Sequence, residues 1–295
     1  MISLAQIKTQ VRSGIRVMAV LLERAPTIPL VIISAMLIIA IFASCLAPHS
    51  PYDISLPNKL KPPFWTGGDG TIYLLGTDTL GRDNLSRLIF GARMSLMVAV
   101  AALLLAGFVG TALGLVAGFQ GGKLDVLIMR AADMTFAFPV ILLALLLAVV
   151  LGPKITNLII IIILVLWARY ARIVRAEVLI WKEREFVEYA RVVGASSLKI
   201  MVRHLLPNVV NTVMVLGTFQ AGSVIIMEAS LSYLGAGVPP PIPSWGGMVA
   251  AGRDYIATAW WVSLFPGLCI VLVVLSLNLF GDWLRDYLDP KLRQI

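Results

Sequence analysis

The sequence predicts an all-α integral membrane protein folded as a six-helix polytopic bundle. Its 295 residues are 59% hydrophobic and only 14% charged, and the mean hydropathy is +0.91. These values lie far outside the range of soluble domains. The apolar residues form long continuous runs. Because hydrocarbon offers the backbone no hydrogen-bonding partners, such runs are typical of spanning helices rather than of barrel strands.

The first predicted span covers residues 28–47 and follows a short segment, residues 1–27, that is rich in positive charge. Its apolar stretch of about 20 residues is long enough to cross a bilayer. The basic residues that precede it are Lys8, Arg12, Arg16 and Arg24. Because the stretch is longer than the apolar part of a signal peptide, we expect it to remain as an anchor helix.

The second predicted span, residues 93–117, carries a glycine at every fourth position: Gly110, Gly114 and, just beyond its end, Gly118. Small residues at this spacing make one flat helix face, on which a second backbone can approach closely. The face could pack against another helix of this chain or form a dimer contact. We favour packing within the chain, because such stripes occur throughout multi-span bundles.

Four further apolar runs complete the predicted bundle, and the third span is the shortest. The runs are residues 136–151, 155–174, 209–233 and 258–280. For this topology, 17 of the 24 lysines and arginines lie in segments on one side of the membrane. Basic residues concentrate on the cytoplasmic side. We therefore expect both termini, residues 1–27 and 283–295, to be cytoplasmic.

Two segments rich in proline and glycine lie on the opposite side, residues 48–92 and 234–257. The stretch "PHSPYDISLPNKLKPPF" cannot continue a helix, because proline removes a backbone donor and drives the preceding residue toward extended geometry. We expect an irregular extracytoplasmic loop there. In the second segment, "MVAAGRDYIA" predicts a short interfacial helix anchored by Tyr255, Trp260 and Trp261.

Several kinds of site and function are disfavoured by what the sequence lacks. Cys45 and Cys269 both fall in predicted spans, which favours packing roles over a disulfide. His49 and His204 are isolated, so we expect no metal site. The net charge of +8 is spread over short loops, so we expect no nucleic-acid partner. We identify no nucleophile, carboxylate pair or histidine cluster, and therefore expect no catalytic residues and no enzyme activity.

The stretch "EYARVVGASSLKIMVRHLLPN", residues 188–208, is amphipathic on both sides of Gly194. This pattern predicts a helix, a bend and a second helix along the cytoplasmic surface. Glycine supplies the left-handed conformation that ends a helix, Ser196 or Ser197 can cap the next helix, and Pro207 suits the first turn of the fifth span. The apolar face could be covered by lipid, by the chain's own bundle or by another protein, and periodicity alone favours the first two.

The same stretch resembles the cytoplasmic EAA loop of ABC-importer permeases. The positions that carry the resemblance are Glu188, Ala190, Gly194, Leu206 and Pro207. Tyr189 and His204 depart from the commonest pattern, and "HLLPN" matches the variant of the peptide branch. Two further stretches agree with that branch, "LGTDTLGRDNLSRLIFGARMSL" at 75–96 and "EASLSYLGAGVPPPIPSWGGM" at 228–248. The chain is thus similar, over nearly its whole length, to the second permease subunit of dipeptide, oligopeptide or nickel importers.

This resemblance implies the transmembrane fold of a type I ABC importer. Residues 93–282 would form the permease domain, and a loop at about residues 176–208 would couple it to an ATPase. The residues implied for coupling are Glu188, Ala190, Gly194, Ala195, Ser196, Leu206 and Pro207. The chain would lie in a prokaryotic inner (plasma) membrane, in contact with lipid, and would provide half of the pathway for short peptides.

The implied partners are a sister permease in a heterodimer, two cytoplasmic ATPases and an extracytoplasmic substrate-binding protein. ATP and Mg²⁺ would be bound by the ATPases, and this chain would bind no cofactor. The sequence agrees, because a phosphate loop requires G-x-x-x-x-G-K-[ST], whereas "GFQGGKL" has the wrong spacing and a leucine after the lysine.

Polar residues within the spans are candidates for lining the pathway. Thr218 and Gln220 lie near the middle of the fifth span, although Gln220 could instead bond a neighbouring helix. Glu228 lies about 30 Å from the cytoplasmic start of that span, near the outer mouth. It could face a ligand's amine or pair with an arginine of the outer loop, and we favour a structural pairing.

Arg169, Arg172 and Arg175 recur every three residues at the end of the fourth span. The positive-inside rule explains them without a ligand. Asp133 is a possible ion-pair partner for one of them.

One other class of transport protein and several other substrates are weighed against a peptide permease subunit. A stand-alone secondary transporter would favour charged or broken helices at the membrane centre, which these spans almost lack. The same importer machinery could also carry nickel, glutathione or oligosaccharides, because the binding protein largely selects the substrate. Alternating access driven by ATP hydrolysis on partner subunits is the mechanism that we expect.

Overall fold

The computed structural model describes residues 26–68 and 70–288, and within them the chain is an all-α membrane protein. The predicted terminal segments 1–27 and 283–295 therefore lie largely outside the described residues. Two short antiparallel strands, β1 (Trp65–Thr66) and β2 (Ile72–Tyr73), are the exception to helix. The helices are α1 (Thr27–Ile41), α2 (Ala43–Leu46), α3 (Asn84–Gln120), α4 (Gly122–Ala137), α5 (Val140–Leu151), α6 (Ile155–Trp181), α7 (Glu185–Val192), α8 (Ser197–Ile200), α9 (Leu206–Tyr233), α10 (Trp245–Gly252) and α11 (Trp261–Leu288). Short 3-10 turns cover Leu56–Asn58 and Arg253–Tyr255.

Four helices of the described residues are long and apolar enough to cross a membrane. They are α3, α6, the continuous helix Ser197–Tyr233 and α11. Helices α4 and α5 together could form a fifth crossing, although they meet at an angle of 98°. Helix α1 has only 15 residues. The all-α membrane fold is confirmed. By length and composition the described helices provide four or five crossings, against the six that were predicted.

The third predicted span, residues 136–151, does not coincide with a single helix. Residues 136 and 137 belong to α4, a helix that was not predicted from sequence, and α5 begins only at Val140. Phe138 between them is extended, with φ −105° and ψ 144°. Proline at 139 explains the break, because it removes an amide donor and disfavours helical geometry at the residue before it.

The glycine stripe packs α3 against α6 within the chain, as predicted. A Cβ added to Gly110 would collide with the Trp167 carbonyl oxygen, and one on Gly114 would lie 2.6 Å from that of Ala171. Gly118 meets the side chain of Val178 in the same way. The two helices touch so closely that each glycine is required. A short side chain at any of them would push α3 away from α6.

The loop between α2 and α3 is irregular, as predicted, and is organised by the buried carboxylate of Asp78. That carboxylate accepts hydrogen bonds from the Leu80 and Arg82 backbone amides and from Arg82 Nε at 2.7 Å, and it pairs with Arg87 Nε at 3.3 Å. Asp83 then caps α3 by accepting from the Ser86 amide at 2.8 Å. The sequence "TDTLGRDNLSR" thus builds a compact start for the longest helix.

The segment 234–257 forms α10, which begins three residues before the predicted interfacial helix. Ser244 caps it by accepting from the Gly247 amide at 3.2 Å. Trp260 is exposed, but Trp261 is buried, and its indole Nε1 donates to the Thr77 carbonyl oxygen at 3.2 Å. The prediction of Trp261 as an interfacial anchor is therefore wrong. Its role is to attach the start of α11 to the loop between α2 and α3.

Candidate functional site

The bend at Gly194 has the geometry that the sequence predicts. Gly194 has φ +81°, its amide donates to the Arg191 carbonyl oxygen, and the Ala195 amide donates to that of Ala190. This pair of bonds is the Schellman pattern, which requires a left-handed residue after the last helical turn. Ser196, rather than Ser197, caps α8 by accepting from the Lys199 amide. Helix α7 and helix α8 therefore meet at a defined corner.

One face of the loop is covered by the chain's own bundle, which is one of the alternatives left open above. Val187, Ile200 and Leu205 are fully buried. They form a cluster with Val174 and Val178 of α6, against which Ala190, Ala195 and Leu206 are partly buried. The loop is thus fastened to the C-terminal end of α6 by apolar packing.

The tip of the loop presents a second apolar face that no described residue covers. Val192 and Val193 are 85% and 86% exposed, and Tyr189 and Leu198 are also exposed. Glu188 is exposed beside them. Large apolar side chains grouped on a surface mark an interaction site. The loop therefore has two apolar faces. One packs on the bundle, and the other, at the tip, is exposed.

The loop continues into the fifth span without a break, which differs from the prediction of a surface helix followed by a span at 209. Residues Met201–Leu205 form a π-helical turn between α8 and α9. The Leu206 amide donates to the Met201 carbonyl oxygen, five residues back. A wider turn of this kind accommodates a local interruption of the helical ladder, and Pro207, which has no amide to donate, follows it directly. Helix Ser197–Tyr233 is consequently one continuous rod of 37 residues, from the loop tip to the end of α9.

Glu177 connects the two helices that flank the loop, although it was not among the residues predicted from sequence. Its carboxylate accepts from the Trp181 indole Nε1 at 3.0 Å and from the Thr212 hydroxyl at 3.3 Å. These bonds join the end of α6 to the beginning of α9. The sequence signal that could have found it is the four-residue spacing of Glu177 and Trp181, which puts them on one helix face. Thr212 could not be found from sequence.

Two of the three α6 arginines form ion pairs with α4. Arg172 contacts Asp133 at 2.6 Å, as the sequence suggested, and Arg175 contacts Asp125 through two hydrogen bonds. The arginine nearer the end of α6, Arg175, pairs with the aspartate nearer the start of α4, Asp125. They give these arginines a structural partner in addition to any effect on orientation.

The structure does not bring the three predicted pathway residues together. Gln220 is 4% exposed and faces α6, where its Oε1 accepts from Arg169 at 3.1 Å. Thr218 faces a different side of α9 and lines an apolar groove of about 680 Å³ between α3, α9 and α11. Its hydroxyl donates to the Val215 carbonyl oxygen at 2.8 Å.

Glu228 has hydroxyl partners rather than an arginine. It is 0% exposed, and its carboxylate accepts from the Ser95 hydroxyl at 2.9 Å and from the Ser232 hydroxyl at 2.8 Å. Ser95 in turn accepts from the Trp245 amide at 3.3 Å. The carboxylate therefore links α3, α9 and the start of α10. Its role in the pathway stays a prediction, but its structural contacts are within this chain.

We expect Glu228→Leu to destabilise the protein by about 2–3 kcal/mol, because the Ser95 and Ser232 hydroxyls would lose a buried acceptor. Glu228→Gln retains one acceptor oxygen and the side-chain volume, and should cost less than half as much. The midpoint of thermal aggregation in detergent measures both. Equal midpoints for the leucine variant and the unchanged protein would contradict this linking role.

Comparison with known proteins identifies one family over most of the chain. Residues 110–294 match the family described as "Binding-protein-dependent transport system inner membrane component". A di/tripeptide transport system permease protein of Pseudomonas aeruginosa is 44% identical, over 86% of this chain and 84% of that protein. Dipeptide transport system permease proteins of Escherichia coli and Haemophilus influenzae are 42% and 39% identical, and each match covers at least 91% of both chains.

Proposed function

The chain belongs to the family of inner membrane components of binding-protein-dependent transport systems, and from this we propose that it is a permease subunit of an ATP-driven importer for short peptides. The observation that carries the proposal is similarity over about nine-tenths of its length to permeases named for peptide transport. Nickel, glutathione and oligosaccharide importers remain alternatives of the same machinery, but the names of these relatives favour peptides.

The open apolar tip of the loop supports a partner on the cytoplasmic side. We infer that Tyr189, Val192, Val193 and Leu198 enter a groove of an ATPase subunit, with Glu188 at the rim. Because the rod Ser197–Tyr233 is continuous, a displacement of the tip would be carried to the outer end of α9. ATP and Mg²⁺ would act on two such ATPases, and this chain would perform no chemistry of its own.

A sister permease and an extracytoplasmic binding protein complete the proposed assembly. We infer that the sister subunit forms the other half of the pathway, as a heterodimer. The binding protein would deliver peptide to the outer face, where the Asp78 network and α10 form ordered structure. Alternating access then follows when ATP binding and hydrolysis shift the pair of permeases between outward and inward openings.

We further propose six membrane crossings with both termini in the cytoplasm. Helices α1 and α2 are separated only by Phe42 and together cover 27–46, which is about 30 Å at 1.5 Å per residue. This length matches the hydrocarbon thickness. Helices α4 and α5 would cross as a bent pair, in addition to the four long helices. The basic residues of the loop then face the cytoplasm.

A stand-alone secondary transporter is the rival from another class. Broken helices and charged residues at membrane depth are typical of such transporters, and the break at Pro139 and the position of Arg169 are features of this kind. Similarity to importer permeases over most of the chain favours the subunit of an assembly. The composition of the complex in its native membrane distinguishes the two.

We expect a tagged chain, extracted from its native membrane in mild detergent, to carry with it a second permease and ATPase subunits identifiable by mass spectrometry. Vesicles containing this complex should take up radiolabelled dipeptide only when ATP and the binding protein are present. A known ABC importer extracted in parallel is the control for detergent damage. Recovery of this chain alone, with the control intact, would contradict the proposal and favour the stand-alone transporter.

A further inference from the structure

Arg169 differs from the other two arginines of its helix face in having no acidic partner among the described residues. Arg172 and Arg175 each contact an aspartate of α4. Arg169 instead contacts a neutral group, donating from Nη1 to the Gln220 side-chain oxygen at 3.1 Å. Gln220 is buried, and its Nε2 meets no hydrogen-bond acceptor in the part of the chain that the structure describes. The amide therefore orients the guanidinium without neutralising its charge.

With α6 entering the membrane at residue 155, as in the proposed topology, the guanidinium lies at hydrocarbon depth. Residues 155–168 precede it in α6 without a charged side chain, and they span about 21 Å at 1.5 Å per residue. This distance is shorter than the hydrocarbon core of about 30 Å. Arg169 is nevertheless exposed on the surface of this chain. A charge at this depth faces water or protein rather than lipid. The side of the chain that carries Arg169 is therefore not a lipid-facing side.

Arg169 lines a cleft of about 270 Å³ between α5, α6 and α9. The polar groups of the cleft are its guanidinium and the hydroxyls of Ser223 and Ser230, and the remaining wall is apolar, including Val140 and Ile141. A cleft with apolar walls and a few convergent polar groups is typical of a small-ligand site. The cleft is large enough for a terminal carboxylate and the side chain next to it.

We propose that Arg169, held by Gln220, is a carboxylate-binding point on the wall of the translocation pathway. This inference rests on the proposed function, because every unmodified peptide carries a terminal carboxylate. A guanidinium can donate two parallel hydrogen bonds to a carboxylate. The contact would be transient, since conduction requires sites that release the substrate as readily as they bind it. The cleft thus adds selection for anionic groups within the permease itself.

The test uses charged thiol reagents on the complete importer in membrane vesicles. Ser223→Cys, in a chain with Cys45→Ala and Cys269→Ala, places one thiol in the cleft. A negatively charged sulfonatoethyl methanethiosulfonate and its positively charged trimethylammonioethyl analogue report the local potential. We expect the anionic reagent to react faster than the cationic one. The ratio of the anionic rate to the cationic rate should fall about tenfold with Arg169→Gln. Arg172→Gln, which removes a charge already paired with Asp133, is the matched control and should change the ratio much less.

Added dipeptide should slow the anionic reagent in the Arg169 chain and not in the Arg169→Gln chain. If the thiol introduced by Ser223→Cys reacts with neither reagent, lipid or the sister permease covers the cleft, and the proposal is overturned. A ratio that Arg169→Gln leaves unchanged, or no protection by dipeptide, would overturn it as well. Dipeptide uptake by the same vesicles tests the proposed function separately. Loss of uptake in all chains with the reagent ratio intact would count against peptide transport and leave the anion site standing.

Discussion

Gly114→Leu is expected to remove most folded protein from the membrane, because α3 and α6 would be forced apart. A Cβ at this position already lies 2.6 Å from the Ala171 carbonyl oxygen and 2.8 Å from the Val174 Cβ. Neither backbone can move without disturbing the rest of the interface. Overpacking costs about 1–3 kcal/mol and occasionally more, and the contact with backbone atoms puts this substitution at the upper end of that range. Membrane abundance by immunoblot, and the fraction that elutes as a single species in size-exclusion chromatography, measure the effect.

Gly267→Leu is the matched control for that substitution. Gly267 also lies in a spanning helix, α11, but a Cβ built there meets nothing within 4 Å. The same gain in volume should leave abundance close to that of the unchanged chain. Normal abundance and elution of Gly114→Leu would contradict the backbone contact. Equal loss for both variants would mean that glycine matters for helix insertion rather than for packing against α6.

Gly194→Val is expected to lower peptide uptake by about tenfold while the chain still accumulates in the membrane. A β-branched residue is strained at φ +81°, but a Cβ there meets nothing within 4 Å. The substitution therefore changes the direction of α7 relative to α8 without disturbing the core. Uptake per copy of the importer, together with peptide-stimulated ATPase activity of the purified complex, measures the loss of coupling.

Gly194→Asn separates backbone geometry from the identity of glycine. Asparagine tolerates the left-handed region better than other residues with a side chain, so uptake should be largely retained. Full uptake by the valine variant at normal abundance would rule out a coupling role for this bend. Loss of abundance in the valine variant, with normal uptake per remaining copy, would instead show that Gly194 serves only to close a turn during folding.

Local features of the loop were predictable because they depend on neighbouring residues. The left-handed bend at Gly194 and the Ser196 cap follow from the backbone preferences of those residues. The break before α5 could also have been predicted, since Phe138–Pro139 carries a clear signal, but a hydropathy window averages across it. The π-helical turn at Met201–Leu205 could not, because it depends on how the rod is held by α6.

The sequence by itself determined that this protein is a helical membrane protein, where most of its apolar helices lie and which glycines meet a neighbouring helix. Hydropathy and backbone preference are properties of contiguous residues, so they can be read from the sequence without knowledge of the fold. Only the tertiary structure decided the partners of the polar residues. Glu228 meets Ser95 across 133 positions, and Arg169 meets Gln220 across 51. Such pairs depend on the rotation and depth of whole helices. Packing between helices determines both, and they cannot be read from local sequence.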